Sequence, residues 1–207
     1  MGTLCCMVDE AAPQEGLRDR TRRAVRAEIA ASAMRLFLAQ GYESTTMDQI
    51  ARQVGISRRS LFHYFGTKED MVLGDHAEQG EIVRAALAAR PADEDPWTAI
   101  RAALKTLLEA MPYSLQEFLQ INRMLKQSPA LRARHIEKQQ QWIDVLVPGI
   151  MARTASTASD PIAELRAGAV VAAAISCMEV ATTAWVRSDG QLDIEALYDD
   201  AVAAVRR

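Results

Sequence analysis

The run Arg58 to Tyr64, R-R-S-L-F-H-Y, gathers side chains that can read and grip a polyanion. An arginine guanidinium can form two parallel hydrogen bonds to O6 and N7 of guanine, and aromatic surface can rest on thymine methyls. Arg58 and Arg59 are therefore the candidate base readers. Ser60 and Tyr64 suit phosphate oxygens, contacts that set register without reading sequence. His63 can serve either purpose. Phe62 and Tyr64 have a second reading, as rings packed against a preceding helix. Leu61 and Phe65 belong to a core.

These side chains need a rigid carrier, and Thr45 to Lys68 supplies one. Ile50, Ala51 and Val54 make an apolar face before Gly55; Ile56, Leu61 and Phe65 make another after it. Glycine takes positive φ without steric penalty, so Gly55 marks a tight turn. Ala51 is small enough for two helices to cross closely. Ser57 can cap the second helix, and Thr45 or Thr46 the first; both threonines are also counted among the candidate DNA contacts. Two capped helices around a glycine turn, with a polar outer face, form a helix-turn-helix, which implies binding to duplex DNA. A longer helix precedes the pair. Its stripe of Ile29, Ala33, Leu36 and Phe37 has helical spacing, and Gly41 closes it. Arg18, Arg20, Arg22, Arg23 and Arg26 crowd its start, either as a solvated helix end or as an arm that meets phosphates.

Charge is divided along the chain. Residues 16–68 hold ten Arg or Lys against four Asp or Glu, whereas the remainder holds fourteen against twenty-three. The basic part coincides with the helix-turn-helix, as a nucleic-acid face requires. With 207 residues the chain can bury a sizeable core. No run of about eighteen apolar residues is free of charge, so a membrane span is not expected. The N-terminus lacks the basic start and apolar core of a signal peptide, and the expectation is a cytoplasmic protein. Cys5, Cys6 and Cys177 have no metal-ligand spacing; neither a disulfide, a metal nor a cofactor is assigned.

From Arg20 to about Val72 the chain resembles the DNA-binding domain of TetR-type bacterial transcriptional regulators. The matching pieces are L-F-L-A-Q-G-Y from Leu36 to Tyr42, Thr45-Thr46, Ile50-Ala51, Gly55-Ile56-Ser57 and L-F-H-Y-F-G-T-K-E-D from Leu61 to Asp70. The resemblance implies an all-α chain with a phosphate contact from Lys68 and a homodimer formed through the last two helices. It also implies a repressor that binds a palindromic operator and is released by a small-molecule effector. Paired arginines at 58 and 59 depart from the small residue or lysine usual there, pointing to a half-site that contains G.

About nine helices are predicted, with a tail over residues 1–16, a DNA-binding domain over 17–66, and an effector-binding and dimerisation domain over 67–207. Thr67 should cap a helix running to Leu87, the lever between the two parts. Asp95-Pro96, Ser128-Pro129 and Asp160-Pro161 each place a capping residue before a proline, a helix start. Pro112 separates two helices, and Pro148-Gly149 should bend or break another. The long helix after Pro161 is rich in small residues (Ala172, Ala173, Ala174, Ala181), which suits either close approach to a second subunit or burial within one.

The implied effector pocket would draw on Trp97, Tyr113, Phe118, Met124, Trp142, Met178 and Trp185, any of which can equally be core. Polar groups on apolar helices are more informative: Asn122, Arg123 and Glu179. A buried carboxylate needs a partner, so Glu179 either pairs with an arginine or meets a ligand. Of these, Tyr113, Phe118, Asn122, Trp142, Met178 and Glu179 are the chosen ligand contacts. An enzyme would need convergent groups, yet His63, His76 and His135 are scattered. A scaffold that had lost DNA binding would show an eroded recognition helix, and this one keeps its arginines and caps.

Overall fold

The computed structural model describes residues 16–74, 76–154 and 161–206. The predicted tail, apart from Gly16, and the predicted Asp160 cap lie outside the described residues. Among those described there are ten helices and no strand, an all-α architecture.

Helices α1 (Leu17–Gln40), α2 (Met47–Val54), α3 (Arg58–Tyr64) and α4 (Glu69–Leu73) make the head. Thr46 caps α2 in a reciprocal box with Gln49, Gly55 closes it with φ 77°, and Ser57 accepts from the Ser60 amide to start α3. Ile29, Ala33 and Phe37 of α1 meet Ile50, Leu61 and Phe65 in one buried cluster. Each large side chain buried there contributes roughly 1.5–3 kcal/mol. Met71 and Val72 of α4 belong to the same cluster, as do Ile121, Met124 and Leu131 from farther along the chain.

The body comprises α5 (His76–Ala88), α6 (Pro96–Ala110), α7 (Leu115–Gln127), α8 (Pro129–Arg153), α9 (Pro161–Arg187) and α10 (Ile194–Val205). Its core joins Val83, Leu87, Ile100, Leu104, Leu146 and Val171. Asp95 caps α6 by accepting from Thr98, and Ser114 caps α7 in a box with Glu117. The Arg153 guanidinium at the end of α8 donates to the carbonyls of Leu87, Arg90 and Pro91, closing the C-terminus of α5. On α10, Asp199 pairs with Arg101 at 2.5 Å and Glu195 with Lys105 at 2.6 Å, fastening the last helix to α6.

Three expectations are corrected. The single helix from Thr67 to Leu87 is two helices, divided at Gly74, whose φ of 71° and ψ of −164° lie where side-chain residues are strained. Thr67 still accepts from the Asp70 amide at 3.2 Å. The second correction is at Pro148, which does not break the helix but sits inside an α8 that continues to Arg153. Leu146 and Ile150 on either side of it are buried. Third, Ser128 does not cap α8; its hydroxyl donates instead to Glu43 of the head at 2.8 Å.

Residues Ile162–Arg187 are long and apolar enough to cross a membrane by length and composition. In the fold, one side of this helix is core: Ala163, Ala167, Val171, Ala174, Ala181 and Trp185 are buried against its neighbours. Its other side carries exposed Leu165 and Val180.

Candidate functional site

On α3 the side chains of Arg58, Arg59, Ser60, Phe62 and His63 are exposed, while Leu61 and Phe65 are inside. The capping geometry at Ser57 and the short helix that follows force this division. Arg58 leans on the head itself, 3.3 Å from Asp48 and 5.5 Å above the Phe62 ring. Such an exposed pair is worth little, so it orients the guanidinium without committing it. Arg59 has no ion-pair partner among the described residues. The Ser60 hydroxyl shares a 2.8 Å hydrogen bond with Ser57. Tyr64 is half-buried, packed against the head core, with its ring edge-on to His63 at 5.9 Å.

The start of α1 joins this surface: Arg18, Thr21 and Arg22 border a groove with His63 and Tyr64. Arg26, by contrast, is a brace. Its guanidinium donates to the Tyr64 carbonyl at 3.1 Å and covers the Phe65 ring at 4.6 Å, a cation at a helix C-terminus. Two threonines flagged for DNA separate here. Thr46 is exposed as the cap of α2. Thr45 is 1% exposed, and its hydroxyl donates to Gly41 and accepts from Gln40. Thr45 is therefore removed from the candidate DNA contacts, because in this conformation no face of its side chain is open. Lys68 also points inward: its ammonium donates to the carbonyls of Tyr42 (2.8 Å) and Thr45 (3.1 Å) and lies 3.9 Å from the Tyr42 ring centre. It ties α4 to the turn before α2.

Within the head, Tyr42 donates to Glu69 at 2.6 Å and fastens α4. Between head and body, side chains bridge the Gly74 break. Asp70 faces Arg134 at 3.3 Å and the buried Lys138 at 3.5 Å, and Lys138 also donates to the Gly74 carbonyl at 3.2 Å. Burial opposes ionisation of Asp70, but the Thr67 hydrogen bond and the two cations win and hold its carboxyl below the ordinary range.

Beside this junction is a cavity of about 160 Å³. Tyr113, Phe118, Asn122, Trp142, Met178 and Glu179, the chosen ligand contacts, all line it. Trp97, Met124, Trp185 and Arg123 do not. Trp97 stands under Arg206, Met124 fills the head core, Trp185 packs on Phe118, and Arg123 pairs with Asp189. Gln79, His135, Gln139 and Thr182 were missed, as were Leu73 and Gly74, which also line it. His135 and Gln139 are four apart on α8, a spacing that placed them on one face but gave no sign which neighbour it met.

Among the described residues Glu179 has no arginine partner; Lys126 holds Oε1, and His135 Nε2 stands 3.6 Å from Oε2. Burial would raise its pKa, but hydrogen bonds from His135 and Lys126 outweigh that and bring it down to about 2. The carboxylate is thus ionised on the wall of a space that is mostly, but not wholly, apolar. Among the described residues, no group of three His, Cys, Asp or Glu is placed to hold a metal ion.

Residues 29–74 match the profile of bacterial regulatory proteins of the tetR family, and residues 94–207 match the MftR C-terminal domain. The chain is 31% identical over 203 residues to the HTH-type transcriptional regulator TcmR of Streptomyces glaucescens, covering 92% of this chain and 87% of that protein. It is 30% identical over 132 residues to the HTH-type transcriptional repressor AcnR of Corynebacterium glutamicum, covering 58% of this chain and 70% of that one. In fold it is similar to Thermus thermophilus FadR, a TetR-family repressor solved with lauroyl-CoA. That match has a TM-score of 0.53 and 22% identity, and it covers 86% of this chain and 91% of FadR. These relatives are DNA-binding regulators, not enzymes. With its helix-turn-helix head and helical body, the chain belongs to the TetR family of bacterial transcriptional regulators.

Proposed function

We propose that this regulator is a repressor that binds a palindromic operator as a homodimer and leaves it when a small molecule occupies the cavity. The DNA-binding head, expected over residues 17–66, would extend with α4 to the joint at Gly74, and the helices from His76 onward would form the effector-binding and dimerisation body. The observation that carries the reading is that Leu73 and Gly74, at the joint beneath the head, are also part of the cavity wall. A ligand pressing on that wall would change the angle at which the head is held, a coupling free energy between two sites.

Arg58 and Arg59 are the proposed base readers. Phe62 is proposed to rest on thymine methyls, His63 to meet a base or a phosphate, and Thr46, Ser60, Tyr64 and the basic start of α1 to meet phosphates and sugar edges. Lys68 has one N–H left beyond its two carbonyl bonds, which suits a phosphate beside the N-terminus of α4. For the dimer, the exposed side of α9 (Leu165, Ala169, Ser176, Val180) with α10 is the proposed interface. Ala174 and Ala181 are spent inside the subunit, so the close approach would rest on Ala169, Ala172 and Ala173. Such a protein acts where the chromosome is, in the cytoplasm.

Selection of bound sequences from random duplex DNA at two salt concentrations tests this. The expected result is one palindromic motif with affinity falling roughly 10³–10⁵-fold between about 50 and 200 mM salt, as for 6–10 phosphate contacts. Salt-sensitive binding without a motif would refute sequence-specific regulation by a dimer.

A further inference from the structure

From Ser44 to Lys68, the stretch that carries the helix-turn-helix, a single side chain is acidic: Asp48. A carboxylate on a surface that must approach phosphates opposes binding, because like charges repel at contact distance. Its own helix gives little reason for it. An acidic residue in the first turn suits the helix dipole, but the cap of α2 is made without it, by Thr46 and Gln49 exchanging hydrogen bonds. Arg52, four residues on, is the ordinary helical ion-pair partner. It donates through Nε to the Asp48 carbonyl at 3.3 Å. The carboxylate instead crosses the turn, where Oδ2 accepts from Nη1 of Arg58 at 3.3 Å.

Phe62 completes the support, its ring centre 5.5 Å from the Arg58 Cζ. Asp48 thus takes one end of the guanidinium and Phe62 one face. The hydrogens on Nε and Nη2 have no partner among the described residues. They form a planar fork, the geometry that meets O6 and N7 of guanine. In water the pair is weak, with side chains 62% and 55% exposed. Against a base edge water is displaced, the effective dielectric falls, and the same contact strengthens. Binding to random duplex is set by how many phosphates are neutralised, and an arginine already paired with a carboxylate adds little to that number.

We propose that Asp48 determines specificity by positioning Arg58, the base reader of the function proposed above: it aims the guanidinium at a guanine and lowers affinity for DNA that lacks one. Asp48 acts through Arg58 and reads no base itself. The discrimination then comes as much from the DNA that is refused as from the DNA that is bound.

The test is selection of bound sequences from random duplex DNA by the full chain, by Asp48→Asn, by Arg58→Ala and by the double variant. Affinities for the selected operator and for random duplex are then titrated against salt. Asparagine has the shape of aspartate and the position is exposed, so the fold is kept. Asp48→Asn should bind random duplex about five- to tenfold more tightly at about 0.1 M salt, with a salt slope steeper by about 0.9, one phosphate more. Its ratio of operator to random affinity should fall at least about fivefold, the lower end for one base contact. The selected motif should lose its guanine at the position where Arg58→Ala loses it. Added to Arg58→Ala, Asp48→Asn should leave the ratio unchanged within about twofold.

Equal tightening on both DNAs with the motif intact would show Asp48 to be only a charge. That result, or an effect on the ratio that persists without Arg58, would overturn the inference and leave Arg58 a base reader. If the parent selects no motif, or Arg58→Ala keeps every base preference, the reading of Arg58 as a base reader falls, and the inference with it.

Discussion

Lys138→Met tests whether the joint is held by side chains. The side chain of Lys138 is 8% exposed; it donates to the Gly74 carbonyl at 3.2 Å and stands 3.5 Å from Asp70. Methionine keeps most of the aliphatic stem and its packing while removing the ammonium. Breaking a buried pair from one side typically costs about 3–5 kcal/mol. Here the loss is smaller, because Asp70 keeps Arg134 at 3.3 Å and Thr67 at 2.8 Å. The Gly74 carbonyl loses its donor, a penalty of about 1–3 kcal/mol when fully buried, and this glycine is only partly so. Relief from burying an ammonium offsets some of both. The net expectation is about 2 kcal/mol lost, which at a urea slope of about 1–3 kcal/mol/M is a midpoint lower by roughly 1 M at matched protein concentration. The acid limb gives an independent reading. The Asp70 pKa is depressed in the fold, so its contribution is present above the unfolded value of about 3.9 and is lost as pH falls through the lower folded value. Lys138→Met should flatten that loss. A midpoint within about 0.3 M of the parent, with an unchanged acid limb, would show that Lys138 does not hold the joint.

Gly74→Ala forces a side chain into a φ of 71° and ψ of −164°. It should destabilise by about 1–3 kcal/mol, a fall of roughly 2–4 °C in Tm per kcal/mol by calorimetry; an unchanged Tm would mean the joint adapts freely. Thr46→Ala removes the box that starts α2 and should cost about 1 kcal/mol in urea denaturation, with Thr46→Gly closer to the parent. Arg59→Ala should weaken the selected operator about 5–150-fold more than random duplex in a binding titration, the discrimination of one guanine contact. Lys68→Met should weaken both alike, since its ammonium shapes the head rather than reading a base.

The helix-turn-helix was legible because everything that builds it is local. Thr46, Gly55 and Ser57 act within four residues of themselves, and the apolar spacing shows which side is inside. The cavity was partly legible. Asn122 and Glu179 stood out as polar groups on apolar helices, and they face a common space. Its other half was not, because His135 and Gln139 lie in the polar stretch R-H-I-E-K-Q-Q-Q, which reads as a solvated face; Lys138 of the joint lies in the same stretch. Only packing against Asp70 and Gly74, far away in sequence, buries Lys138. Ser128 shows the same limit. Its position before a proline suits a cap, yet a tertiary partner, Glu43, takes the hydroxyl. Gly74 was visible as a residue but not as a break, since the helical pattern resumes directly after it.

Loading a pivot at its own axis gives little torque and a long throw. Gly74 is both where the chain turns and part of what a bound molecule would touch. The longest helix of the head, α1, has 24 residues and is roughly 36 Å long at the helical rise, which is taken as the scale of the arm. A rotation of about 5° over that arm moves the far end roughly 3 Å. The step between base pairs along one strand is about 3.4 Å. A change in backbone angle smaller than the roughly 15–20° by which dihedral angles differ among helical residues would thus shift a reading head by nearly one letter of its text.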